Sequence, residues 1–361
     1  MNIDPNALAM IARLSDAFGP SGFEDDVLTV ARQYAEGLGT IEEDCLRNLY
    51  IYRKENTGNK PVIMLDVHSD EVGFMVHSIK PNGTLRFVAI GGWRVSTLPG
   101  SQVLVRTADG DYIPGIVASK PVHFMSAAER NGQADNTISN LIIDIGARSY
   151  EEAVNDFRIR IGEPIVPLTR CTYDEKRDVL FGKAFDCRIG CAALLEALHR
   201  IEGEELACDV VGVFSSQEEV GDRGVRVSVN RVKPSLAIVL EGCPADDTFT
   251  EPYAIQTALK KGPMLRFMDT SVICSPRFQR YALDLAQEKG LAVQASVREG
   301  GGNNGAAIQL SNGGVPVIVA GVPVRYIHAM HCVTSYADFE HTVNLTVELL
   351  RSLTPEIIAG F

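Results

Sequence analysis

Five short segments of this sequence carry side chains able to hold a divalent cation, and most fall where an apolar run stops. DVHSDE places His68 and Asp70 just past the run 61–67, and GKAFDCRIGC places Asp186 ahead of a helical pattern. FSSQEEVGDRG sets Glu218 beside Glu219 after the run 208–214, and IVLEG brings Glu241 to the end of another. VRYIHAMH carries His328, with His331 as a local competitor. Imidazole nitrogen and carboxylate oxygen suit zinc, cobalt or manganese. Asp70 could hold the second ring nitrogen of His68 and fix its tautomer, while Asp186 could bridge two cations through its two oxygens. Adjacent side chains diverge, so one glutamate of the pair could bind metal while the other takes a proton from bound water.

Each segment also has an ordinary reading. His68 could be a loop histidine, Asp186 a helix N-cap, the glutamate pair two solvated charges, Glu241 a carboxylate at a loop start, and His328 a structural histidine. Taken jointly, two histidines and three carboxylates with one acid left as a base fit a dinuclear centre, whose metals would stand ~3.5–4 Å apart.

Ligands in open α/β sheets gather at the carboxyl ends of strands, and the elements around these segments are the ones such a sheet requires. Helical periodicity covers 6–18 and 23–37, broken at Gly19-Pro20-Ser21-Gly22. Strands are predicted at 48–53, 61–67, 208–214, 235–240, 292–297 and 315–320. Helices are predicted at 188–202, 277–289 and 337–353, with a short one after the glycines 300–302. The strand PVIMLDV is almost wholly apolar, as a buried strand of a mixed or parallel sheet should be. From about Val72 to Ile165 the texture changes to short alternating segments separated by turn signals, with one short helix near Tyr150–Phe157. That is the pattern of a small β-barrel or sandwich. The whole predicts an α/β fold interrupted by a β insert.

The chain has 361 residues, a net charge of -12, 45% hydrophobic and 22% charged residues. This excludes a disordered or fibrous protein and argues against a nucleic-acid binder, which needs a basic footprint. No run approaches the ~18 apolar residues of a membrane span, and the start of the sequence shows no signal-peptide pattern. The eight cysteines contain no CxxC pair. They are expected to be reduced, in a cytoplasmic protein without a thiolate zinc site.

The ordered set VHSDEVGFMV, GKAFDCRIG, SSQEEVGDRG, IVLEG, REGGGNNGAA and GVPVRYIH resembles the tetrahedral, glutamyl and deblocking aminopeptidases, a family of dinuclear metallopeptidases. The likeness runs over nearly the whole chain, including GGW, SKPVHF and IIDIGARSYEEA of the insert. It implies a mixed-sheet, phosphorylase/hydrolase-like peptidase domain over 1–71 and 170–361. It also implies an inserted PDZ-like β-barrel over 72–169 that serves in dimerisation. By resemblance, His68 and Glu241 would hold one metal and Glu219 and His328 the other. Asp186 would bridge them, Glu218 would be the general base, and Asp70 would orient His68. The implied cofactors are two divalent ions per subunit, zinc or cobalt foremost and manganese as a third. The implied partners are peptide substrates and further copies of the chain, as dimers closing into a hollow dodecamer.

Three departures mark this sequence. Cys187 follows Asp186 where the family shows Asp or Asn. GGGTDA reads GGGNNGA, so Asn304 stands in place of an acid, which bears on the charge and substrate contacts of that loop. Glu241 stands where many relatives have Asp. The alternatives are another two-metal amidohydrolase of the N-acyl amino acid deacylase or carboxypeptidase kind, a relative labelled endoglucanase, and a non-catalytic peptide-binding scaffold.

Overall fold

An eight-stranded mixed sheet organises the first of two units in the computed structural model, which describes residues 3–130 and 137–361. Its order is Gly39–Glu43, Leu49–Arg53, Asp209–Ser215, Val62–His68, Leu236–Pro244, Val317–Val324, Met264–Met268, Gln294–Val297. The four strands at its centre run parallel, with Ser215 opposite His68 and Glu241 opposite Gly321. They are buried almost end to end. Parallel strands covered on both faces read as continuous apolar runs, and this is why VIMLDVH and VVGVFS carry so few polar residues.

One face of the sheet is covered by the helices Pro5–Asp16, Asp25–Ala35, Phe185–Arg200, Pro276–Glu288 and Tyr336–Ser352, which share one apolar core with it. The other face packs under Arg223–Val232 and Gly305–Gln309. The structure adds elements not predicted above: the Arg223–Val232 helix, the strands Gly39–Glu43 and Met264–Met268, and a three-stranded sheet of Thr172–Asp174, Val179–Gly182 and Cys332–Thr334. Arg223–Val232 escapes because Val225, Val227 and Val229 alternate like a strand. The buried residues are instead the helical set Val225, Ser228, Val229 and Val232, with Gly224 beside them.

The first unit comprises Met1–Asp70, Arg170–Ile327 and His331–Phe361; the second comprises Glu71–Thr169 with His328–Met330. In the second, six strands close a barrel: Gly73–Ile79, Leu85–Ile90, Ile142–Asp144, Tyr112–Ala118, Gln102–Arg106 and Pro164–Pro167. Phe74, Val76, Leu85, Val103, Val105 and Ile143 fill it. Trp93 stacks on Phe74 and donates its indole N–H to the Gly73 carbonyl at 3.0 Å. The expected short helix is present as Tyr150–Asn155, N-capped by Ser149. Among the described residues no helix is long and apolar enough to cross a membrane.

Candidate metal centre

The carboxyl ends of the central parallel strands bring His68, Glu218, Glu219 and Glu241 together with Asp186. His68 is the last residue of Val62–His68 and is buried. Its Nε2 lies 3.0 Å from Asp186 Oδ1, 3.6 Å from Glu241 Oε2 and 3.9 Å from Glu218 Oε2. Asp186 does not continue the helix it opens. At φ -84°, ψ 103° its backbone is extended, and the peptide bond to Cys187 is cis. Glu241 lies inside Leu236–Pro244, and the strand passes very close to the Asp186 segment there. A Cβ on Gly242 would stand 2.3 Å from the Phe185 carbonyl oxygen, so only glycine fits beside Glu241.

Asp70 meets several donors besides the imidazole. Its carboxylate accepts the Ser21 hydroxyl at 2.6 Å and the backbone N–H groups of Glu218 and Glu219 at 2.9 and 3.1 Å. The nearer contact of His68 Nδ1 is the Asp70 backbone oxygen at 3.2 Å, with the carboxylate at 3.5 Å. Asp70 therefore fixes the main chain of the glutamate pair while it faces the imidazole.

Four supporting residues carry no local signal in the sequence. Ser21 belongs to the Gly19–Gly22 break. Glu24, buried, accepts the N–H groups of Gly22 and Gln217. Arg188, fully buried, donates to the carbonyls of Ser69, Leu14, Ala17 and Gly19, tying the end of the first helix to the loop that carries Asp70. Asp66 accepts the Ser215 hydroxyl at 2.6 Å and the Asn304 amide at 2.7 Å. That pairing accounts for Asn304: an amide can donate to Asp66, whereas an ionised acid there would face it with like charge. Cys187 turns its thiol to the Leu240 carbonyl at 3.1 Å.

Electrostatically the cluster is short of positive charge. Burial, reinforced by the neighbouring acids, pushes the carboxyls of Glu218 and Glu219 well above their ordinary range against the pull of His68. Burial and Asp186 raise Glu241 to about 8. Burial opposes protonation of His68, yet Glu218, Cys187, Asp186 and Asp70 outweigh it and raise its pKa well above the usual value. Asp70 behaves differently. Burial would raise it, but His68, Ser21 and the Glu218 N–H hold it below 3.8.

These residues fit a divalent cation. Glu241 Oε1 is buried and has no hydrogen-bond partner among the described residues. The ligand atoms of His68, Glu218 and Glu219 lie within 4.8 Å of one another, as do those of His68, Cys187 and Glu241. Nitrogen and oxygen donors in this number are those of zinc-type sites. His328 follows Ile327 where the chain leaves the first unit. It holds a left-handed backbone at φ 55°. Its ring packs over Gly92 of the GGW segment, where a Cβ would come within 3.1 Å of Nδ1.

Residues 48–345 match the family described as M42 glutamyl aminopeptidase. The chain belongs to that family. It is 33% identical to the glutamyl aminopeptidase of Lactococcus lactis subsp. cremoris over 350 residues, 97% of each chain. The TET aminopeptidase of the marine sediment archaeon Thaumarchaeota archaeon SCGC AB-539-E09 superposes with a TM-score of 0.93 at 35% identity, covering 98% of both chains. The TET1 peptidase of Pyrococcus horikoshii, which can assemble into a tetrahedron or a large octahedral shell, superposes with a TM-score of 0.84 at 26% identity, covering 96% of this chain and 100% of that one. Family membership makes the chain a hydrolase of the aminopeptidase class, and M42 peptidases are metallopeptidases. It favours none of the deacylase, endoglucanase or scaffold alternatives. The mixed α/β fold with its closed barrel is likewise that of the TET peptidases.

Proposed function

We propose that this protein removes N-terminal residues from peptides with a pair of divalent metals, and that Glu218 is its general base. The observation that carries the reading is the buried convergence of Asp186, Glu218 and Glu241 on His68 Nε2, with a Glu241 oxygen left for a cation. By the family resemblance, His68 and Glu241 would hold one metal, Glu219 and His328 would hold the other, and Asp186 would serve both. When bound, the metals supply an activated water and a Lewis acid for the peptide carbonyl. Glu218 takes the proton from the attacking water and returns it to the leaving amine. Asp70 keeps Glu218 and Glu219 at a fixed distance from His68. Zinc and cobalt are the foremost candidates, with manganese third.

Treatment with a chelator is expected to abolish release of chromophore from aminoacyl substrates, and zinc or cobalt to restore it. Activity that survives chelation would overturn the two-metal reading. The same sample should show a particular pH dependence. Glu241 moves from an ordinary 4.5 to about 8 without a cation. A folded state that holds its proton more tightly than the unfolded chain loses stability as pH rises between those values. Asp70, held below 3.8, acts only in more acid solution. The melting temperature of the chelated protein is thus expected to fall from about pH 5 to about pH 8 and to recover on adding zinc. Glu218, Glu219 and His68, raised in the same direction, act in the same sense, so a flat profile would count against the burial of the whole cluster.

The barrel unit serves in dimerisation, and dimers assemble into a dodecamer in the cytoplasm. A monomeric mass at micromolar concentration would overturn the assembly.

A further inference from the structure

Gln217, immediately before the glutamate pair, has a left-handed backbone with φ 53°. A residue with a Cβ adopts that conformation only at a cost in free energy, and such residues persist where their surroundings over-determine them. Here three successive backbone N–H groups, of Gln217, Glu218 and Glu219, point at two buried carboxylates. The last two are held by Asp70, and the first donates to Glu24 Oε1 at 3.2 Å. Consecutive main-chain donors of this kind form a cradle for negative charge.

Glu24 is an odd residue for its place. It occupies the N-cap position of Asp25–Ala35 but makes no side-chain cap. Its carboxylate instead reaches Gly22, 2.8 Å away, and Gln217, 193 positions along the chain. Its Oε2 is buried without a hydrogen-bond partner among the described residues. An unpaired buried oxygen is costly, and folding alone gives no reason to keep it.

We propose that Glu24 is a positioning residue for Glu218, its carboxylate holding Gln217 in the left-handed turn that aims the glutamate pair at His68. The inference rests on the role of Glu218 proposed above, and it adds the Gly19–Glu24 turn to the machinery of the reaction.

The test uses the full-length, zinc-loaded protein and the variants E24A, E24Q and E24A/Q217G. Two quantities are read: steady-state hydrolysis of an aminoacyl chromogenic substrate, and hydrogen exchange of the 217–219 amides. E24A is expected to lower kcat about 10- to 100-fold, with KM changed less than about twofold, and to speed exchange at 217–219 about tenfold. E24Q keeps an acceptor oxygen and is expected to stay within about threefold of the parent in kcat. Glycine adopts the left-handed turn freely, so E24A/Q217G is expected to regain most of the loss. A residue that only stabilised the fold would give no such recovery. Unchanged exchange at 217–219 in E24A, or an E24Q as slow as E24A, would overturn the proposal. Should E24A not fold, an E24A/Q217G that folds and turns over near the parent supports the role, and one that also fails to fold overturns it. If the parent protein hydrolyses no aminoacyl substrate, the functional reading fails, while the exchange data still decide the role of Glu24.

Discussion

Replacing Glu218 with Gln is expected to lower kcat about 10²- to 10⁴-fold while two metals per chain remain bound. The substitution keeps the size of the side chain and leaves its backbone N–H on Asp70 Oδ1. It removes the negative charge and with it the ability to accept a proton. Glu218 Oε2 stands 3.9 Å from His68 Nε2, alongside the carboxylates of Asp186 and Glu241 at 3.0 and 3.6 Å, within reach of water at the proposed centre. Burial and the surrounding acids raise its pKa in the absence of a cation; positive charge at the centre works in the opposite direction and moves the carboxyl toward the range of a useful base. Metal analysis beside steady-state kinetics separates the roles of the pair. Glu219→Gln should lose metal, and Glu218→Gln should lose turnover alone. Ordinary turnover in the Glu218 variant would sink the assignment, and loss of one metal from it would exchange the two roles.

Asp70→Ala is the second large effect. It strips three buried donors of their acceptor at once: the Ser21 hydroxyl and the N–H groups of Glu218 and Glu219. Each orphaned donor costs about 1–3 kcal/mol, enough together to lower the melting temperature markedly. Metal affinity is expected to drop about 10- to 100-fold, the usual result of removing a residue that orients a metal ligand. Asp70→Asn has a graded outcome. Its single oxygen can accept one of the two N–H groups, and its amide meets the other donor-to-donor, so the loss should lie between those of the parent and the alanine variant. Titration with zinc against a competing chelator reads the affinity. An alanine variant that binds zinc as tightly as the parent would show that Asp70 does not govern the geometry of the pair.

The strand ends were legible because burial on both faces makes the central strands apolar, so the positions where polarity resumes stand out. His68, Glu219 and Glu241 announce themselves in this way, and Asp186 does so through the helix that follows it. The supporting residues do not. Ser21 acts on a side chain 49 positions away, Glu24 on an amide 193 away, and Arg188 on a carbonyl 174 away. No spacing rule links such pairs, and two of the three groups they meet are main-chain atoms with no residue identity. The strand Met264–Met268 was missed for a related reason. Arg266 in its middle reads as surface, yet its guanidinium is buried against Asp269. Asn304 shows the limit of comparing motifs: the change looked like an altered loop charge, and its meaning lies in the donor it offers to Asp66.

The parallel register described for the central strands bears on how such a protein can change over generations. Side chains along a strand alternate between faces, so inserting or deleting one residue within Val62–His68 or Leu236–Pro244 would turn His68 or Glu241 to the opposite face. Lineages can therefore vary the strands only by substitution. Changes of length that spare this register are those beyond the strand tips, as in 245–260, which is tethered through Asp246 to Arg298 and through Asp247 to Arg325. An insertion or deletion beyond the strand tips leaves His68 and Glu241 on their present face, whereas one inside the strands removes them from the cluster.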